Sequence, residues 1–255
     1  MRSEIGIWRD LCRATKPRVG ATTREIDRAM MMLHPREDDP AFNSVFGLES
    51  CDSPIGVWKS AVDLAAREGV GQISVSIPEH GRDWATAAVR EKLRLVFESR
   101  EVIWGRGVAA DERFDPRPPV GLRLQDDAID PDEFGAAVNR IWGFAQDHPR
   151  GALYAAGIGL PGWRHYIVRD GARPAGVFVL GVVRDVGWLM LALVDPAHRG
   201  RGLQSAMIER RLADAQLAGC TLAVSETIDD NASPRNLQRF GFTLVERRMV
   251  YRAEL

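Results

Sequence analysis

The stretch from Leu189 to Leu217, LMLALVDPAHRGRGLQSAMIERRLADAQL, constrains the fold more than any other part of the chain. Gly187 to Val194 is apolar on both faces, the pattern of a central β-strand covered from two sides. Pro196 ends it, because proline has no N–H for the ladder. From Leu203 the period changes. Leu203, Met207, Ile208, Leu212 and Ala215 recur at helical spacing, while Glu209, Arg210, Arg211 and Asp214 are expected on the wet side. Gly219 supplies the stop.

Between strand and helix lies Arg199-Gly200-Arg201-Gly202. A glycine-bearing turn there lets several backbone N–H groups converge at the mouth of a helix, where the helix dipole also favours negative charge. Such a turn is a phosphate cradle. Arg199 and Arg201 add two guanidinium groups, the side chains best matched to phosphate oxygens.

The rest of the sequence sets what surrounds this unit. A length of 255 residues allows two small domains, each with its own core. The three prolines of Phe114 to Val120 place a boundary there, giving an N-terminal α/β domain over 1–115 and a second domain over 120–255. A formal net charge of -1 gives no global pull toward nucleic acid or an anionic membrane surface. Cys12, Cys51 and Cys220 form neither a zinc spacing nor a disulfide framework, so no metal is expected and a cytoplasmic location is. The charges in MRSEIGIWRD speak against a signal peptide, and Arg184 and Asp185 interrupt the one long apolar tract, Ala175 to Val194.

Periodicity predicts a helix over Thr22–Leu33, an extended piece over Phe42–Leu48, a helix over Ile55–Arg67 and a strand over Gln72–Ile77. It further predicts a helix over Asp83–Phe97 with Val96 and Phe97 buried, and a strand over Glu101–Trp104. In the second half it predicts a strand at Gly121–Gln125, a helix over Pro131–Phe144, and strands over Arg164–Arg169 and Gly176–Val183 joined at Asp170-Gly171.

VDPAHRGRGLQSAMIERRL resembles the pyrophosphate-binding motif of GCN5-related N-acetyltransferases, whose pattern maps onto Arg199, Gly202 and Gln204. The last position departs from it, since glutamine stands where the family has a small residue. NASPRNLQRFGF, Asn231 to Phe242, is similar to the family's later motif, a helix ending in Gly-Phe. The resemblance implies a mixed, mostly antiparallel central sheet flanked by helices, and acetyl-coenzyme A as co-substrate. It implies a carrier site made by Leu193, Val194, Arg199, Gly200, Arg201, Gly202, Leu203, Gln204, Asn231 and Ser233. Residues 40 to 110 are faintly similar to the later half of a second, degenerate domain of this kind, without a cradle.

The resemblance further implies acyl transfer to the amine of a small molecule, by direct attack on the thioester. The alternative is a coenzyme-A-binding regulatory module without turnover. Glu226, near the end of the opposing strand, is the best single candidate for a general base, and a base is also dispensable if water carries the proton. His198, in the cradle turn, is expected to face solvent or phosphate. Leu237 occupies the position where many relatives carry a proton-donating tyrosine. A homodimer is one expected assembly, with neither nucleic acid nor membrane as partner.

Overall fold

The computed structural model describes residues 12–35, 37, 42–79, 86–228 and 233–255. It divides into two compact units, one reaching up to Ile103 and including Val245–Leu255, the other Trp104–Leu244.

In the first unit, β1 (Thr22–Ile26) and β2 (Ala29–Leu33) form an antiparallel hairpin. The helix predicted over Thr22–Leu33 is therefore a hairpin. Its apolar residues fit a helical period, but Thr22, Thr23 and Ile26 are β-branched, and Asp27 takes the positive φ (55°) that a two-residue turn needs. Every residue of β2 is buried. β3 (Ser44–Phe46) pairs antiparallel with β2 and parallel with β4 (Gln72–Pro78), the crossover being α1 (Pro54–Arg67). Trp58, Ala61 and Ala65 of α1 pack on Met31, Val45, Val75 and Ile77.

α2 (Ala87–Lys92) is shorter than predicted, and the proposed start at Asp83 lies outside the described residues. Leu93 caps it, and Val96 and Phe97 begin β5 (Val96–Gly107), where they are 57% and 48% exposed rather than buried. The other neighbour of β4 is the last strand of the chain, antiparallel from Arg248↔Pro78 to Glu254↔Gln72.

In the second unit come β6 (Arg123–Gln125), α3 (Pro131–Trp142), α4 (Pro149–Ala155), β7 (Trp163–Asp170), β8 (Arg173–Val183) and β9 (Val186–Val194). α5 (Leu203–Leu217), β10 (Leu222–Ile228), α6 (Ser233–Arg239) and the start of β11 (Thr243–Glu254) complete it. Strands β6 to β9 pair antiparallel in sequence order, and β9 pairs parallel with β10.

Alternation along β8 builds three layers. Val177 and Val179 join Phe134, Val138 and Ile141 of α3, whereas Gly176 faces α5, with Leu203 3.2 Å from where a Cβ would sit. A Cβ at Gly187 would meet that of Ala215 at 2.8 Å, so glycine lets α5 lie close on β9. The fold is the expected one, a mostly antiparallel sheet flanked by helices.

The two units repeat one order of elements. β1-β2-β3, a 3-10 turn at Leu48–Ser50, α1, β4, α2 and β5 correspond to β7-β8-β9, a 3-10 turn at Pro196–His198, α5, β10, α6 and β11. The closing strands are exchanged: β11 lies beside β4, and residues 104–107 of β5 belong with β10. The boundary expected at 115–120 thus falls inside the second unit, and residues 245–255 belong to the first rather than to the 120–255 domain. Among the described residues no helix is long and apolar enough to cross a membrane.

Candidate functional site

The parallel pairing of β9 and β10 runs only from Val186↔Leu222 to Leu189↔Ser225. Beyond it β9 continues to Val194 and β10 to Ile228. The Ser225 hydroxyl donates to the Leu189 carbonyl (3.0 Å) at the last pair. From there on one edge of β9 carries main-chain groups that β10 does not take up.

Which groups those are follows from the ladder on the other side. The Asp195 N–H donates to the Ala175 carbonyl (2.9 Å). Antiparallel pairing alternates, so the main chain of Leu193 faces Val177 in β8, while Ala192 and Val194 face the unpaired edge. Arg199 Nε lies 3.4 Å from the Val194 carbonyl on that edge. Of the pair Leu193 and Val194, only Val194 presents its main chain there. The residue missed is Ala192, which the two-residue period of a strand would have supplied.

The cradle turn is fixed from below. Asp195 accepts from Ala197 N–H (3.0 Å) and pairs with Arg140 (2.5 Å) and Arg173 (3.0 Å). Burial alone would raise its pKa, but the Arg140 hydrogen bond, the Ala197 N–H and Arg173 outweigh it and bring the carboxyl to about 2. His198 is buried, with Nε2 3.0 Å from Asp170, so it pins the turn to the β7–β8 hairpin rather than facing solvent or phosphate.

Above this base Gly200 and Gly202 take positive φ (73° and 79°), and Gly202 opens α5. No side chain caps that helix and its first turn holds no acid. Its first N–H groups therefore lack the partners a capped helix would give them. Arg199 and Arg201 are exposed beside them. Leu203 is buried beneath. Gln204 turns sideways, donating to the Ser233 hydroxyl (3.0 Å) and accepting from Asn236 (2.7 Å), and so ties α5 to α6. Asn231 lies outside the described residues.

Glu226 is half-buried on β10, one residue past the last pair with β9. Leu237 is buried and offers no hydroxyl. His165 is held neutral by burial, its pKa lowered to about 4, and Nε2–H donates to the Tyr154 carbonyl (2.9 Å). The Tyr166 hydroxyl donates to Asp214 (2.7 Å), and burial pushes its pKa well up.

Asp214 and Arg211, predicted on the wet side of α5, are both buried. Arg211 lies four residues from Met207 and from Ala215, on the apolar stripe, and the spacing alone could have placed it there. Among the described residues no group of three or more histidine, cysteine or carboxylate side chains gathers as a metal site.

Residues 132–242 match the family model described as Acetyltransferase (GNAT) family. Among solved structures, a GCN5-related N-acetyltransferase from Kribbella flavida is 15% identical, covering 98% of this chain and 96% of that one at a TM-score of 0.67. Another, from Sphaerobacter thermophilus, is 15% identical over 89% of this chain and 80% of that one, with a TM-score of 0.64. A tandem GNAT protein from the clavulanic acid biosynthesis pathway is 16% identical over 89% and 78% respectively, with a TM-score of 0.63. At these identities the likeness is one of fold. No curated protein matches.

Proposed function

We propose, from the premise that residues 132–242 are a domain of the acetyltransferase (GNAT) family, that the chain transfers the acetyl group of acetyl-coenzyme A to the amine of a small molecule. One observation carries the reading. An uncapped helix mouth, entered through two positive-φ glycines, follows a strand whose edge its parallel neighbour has left.

When bound, acetyl-coenzyme A supplies an activated thioester carbonyl and a diphosphate handle. The N–H groups from Gly200 to Gln204 and the positive end of α5 suit that handle, and Arg199 and Arg201 add charge beside it. Gln204 is held by α6, so its side chain does not compete with the main-chain donors. Ala192 and Val194 offer main-chain donors along the open edge, where a carbonyl gaining charge during attack is stabilised. Glu226 is the carboxylate at the opening suited to accept the ammonium proton.

Leu237 gives nothing to the leaving thiolate, which takes its proton from water or from the amine. The same feature favours a second reading, a carrier-binding module without turnover. Calorimetry with acetyl-coenzyme A and free coenzyme A, followed by thiol release over a panel of small primary amines, separates the two. Uptake with release for at least one amine is expected. Uptake without release selects the binding module, and no uptake removes both.

A further inference from the structure

β8 and β9 slip register between Val179↔Leu191 and Leu180↔Leu189, leaving Met190 as the extra residue of a bulge. Arg211 of α5 reaches this point. Its Nη1 donates to the carbonyls of Leu191 (2.9 Å) and Val179 (3.4 Å), and its Nε to that of Met207 (3.0 Å). Its guanidinium also lies 5.5 Å from the centre of the Phe178 ring. We infer that Arg211 is a positioning residue, which clamps the bulge so that Ala192 and Val194, and not Leu193, present their main chain at the open edge of β9.

The physical reason is register. A bulge adds one residue, and everything beyond it changes edge when it moves by one. With Met190 bulged, the donors of Ala192 and Val194 point away from β8; with the bulge lost or moved past Leu191, Leu193 would take their place. An apolar residue at 211 would continue the stripe of Leu203, Met207 and Ala215 without the cost of burying a charge. What the guanidinium adds is directional: it binds both carbonyls of the last register pair before the bulge.

The contact stands on geometry, and its effect on turnover rests on the acyl-transfer reading above. Arg211→Met and Arg211→Lys, compared with the unsubstituted protein, test both parts. In the ligand-free Arg211→Met variant, amide hydrogen exchange within residues 191–194, at Leu191 and Leu193 whose N–H groups face β8, should rise about tenfold while the rest of the unit keeps its protection. Its kcat should fall about 100-fold, the scale of a misplaced reacting group. The dissociation constant of free coenzyme A should stay within about twofold, since the cradle is untouched.

Arg211→Lys, which can reach one carbonyl, should recover part of both losses. A folded Arg211→Met variant with unchanged exchange over 191–194, or with unchanged kcat, overturns the inference. So does a loss of coenzyme A affinity in proportion to kcat, the mark of general destabilisation. If Arg211→Met does not fold, Arg211→Lys decides, by whether exchange rises over 191–194 alone or throughout the unit. Failure of the unsubstituted protein to turn over any amine counts against acyl transfer only, and the exchange comparison still decides the clamp.

Discussion

Replacing Asp195 by asparagine should cost about 1–2 kcal/mol at neutral pH and should cost less as the solution is acidified. Asp195 is 3% exposed and joins α3, β8 and the cradle turn through Arg140, Arg173 and the Ala197 N–H. A carboxyl held at about 2 rather than 3.8 contributes about 2 kcal/mol when ionised. The side chains of Arg140 and Arg173 are 38% and 62% exposed, so solvent screens part of that.

The folded-state value lies below the unfolded one, so this stability is fully present above about pH 5 and is lost as pH falls through 3.8 toward 2. Urea unfolding of both proteins at pH 7, 5, 4 and 3 gives the comparison, and in a thermal scan at pH 7 the variant should melt about 3–6 °C lower. A variant as stable as the parent at pH 7, or a difference that persists undiminished at pH 3, would refute the assigned role of the carboxylate.

Arg199→Ala and Arg201→Ala should each weaken coenzyme A binding about 3- to 10-fold, the modest worth of an exposed charge on phosphate. The effect should shrink in high salt, as calorimetry at two ionic strengths would show. Glu226→Gln should lower kcat about 100-fold or more if Glu226 is the base, leaving coenzyme A affinity unchanged; steady-state kinetics and calorimetry together check this. Gln204→Ala removes two hydrogen bonds to α6 and should cost about 1–2 kcal/mol. Proteolysis should then cut near residue 233 sooner than in the parent.

The most local parts of the site were the most legible. Gly187 to Leu217 announces itself through a change from two-sided apolar strand to helical stripe, and Gly200 and Gly202 carry the backbone freedom the turn uses. Local pattern and structure part where long-range pairing decides. Ile26, Ala29, Met30 and Leu33 satisfy a helical period, yet as strand Ala29 and Leu33 pack with Val45 and Trp58 while Met30 is buried with Cys12 and Phe46. Val96 and Phe97 complete a helical pattern on paper, but Leu93 ends the helix and the chain turns into β5. The charge of Arg211 points outward on paper, although its spacing from Met207 places it inward. The register that favours Ala192 over Leu193 needs the Asp195–Ala175 bond, a contact across a bulged ladder that one sequence does not reveal.

The exchange of closing strands means that the protein has no natural seam. A single scission anywhere between residues 108 and 242 leaves the upstream piece without the partner of β4, an open row of amides and carbonyls of the kind that invites self-association. The downstream piece loses residues 104–107, and with them the Trp104 indole that donates to Thr227 (2.9 Å). Each unit is closed by a segment from the far side of the other in sequence, so no single cut in the chain separates two complete units.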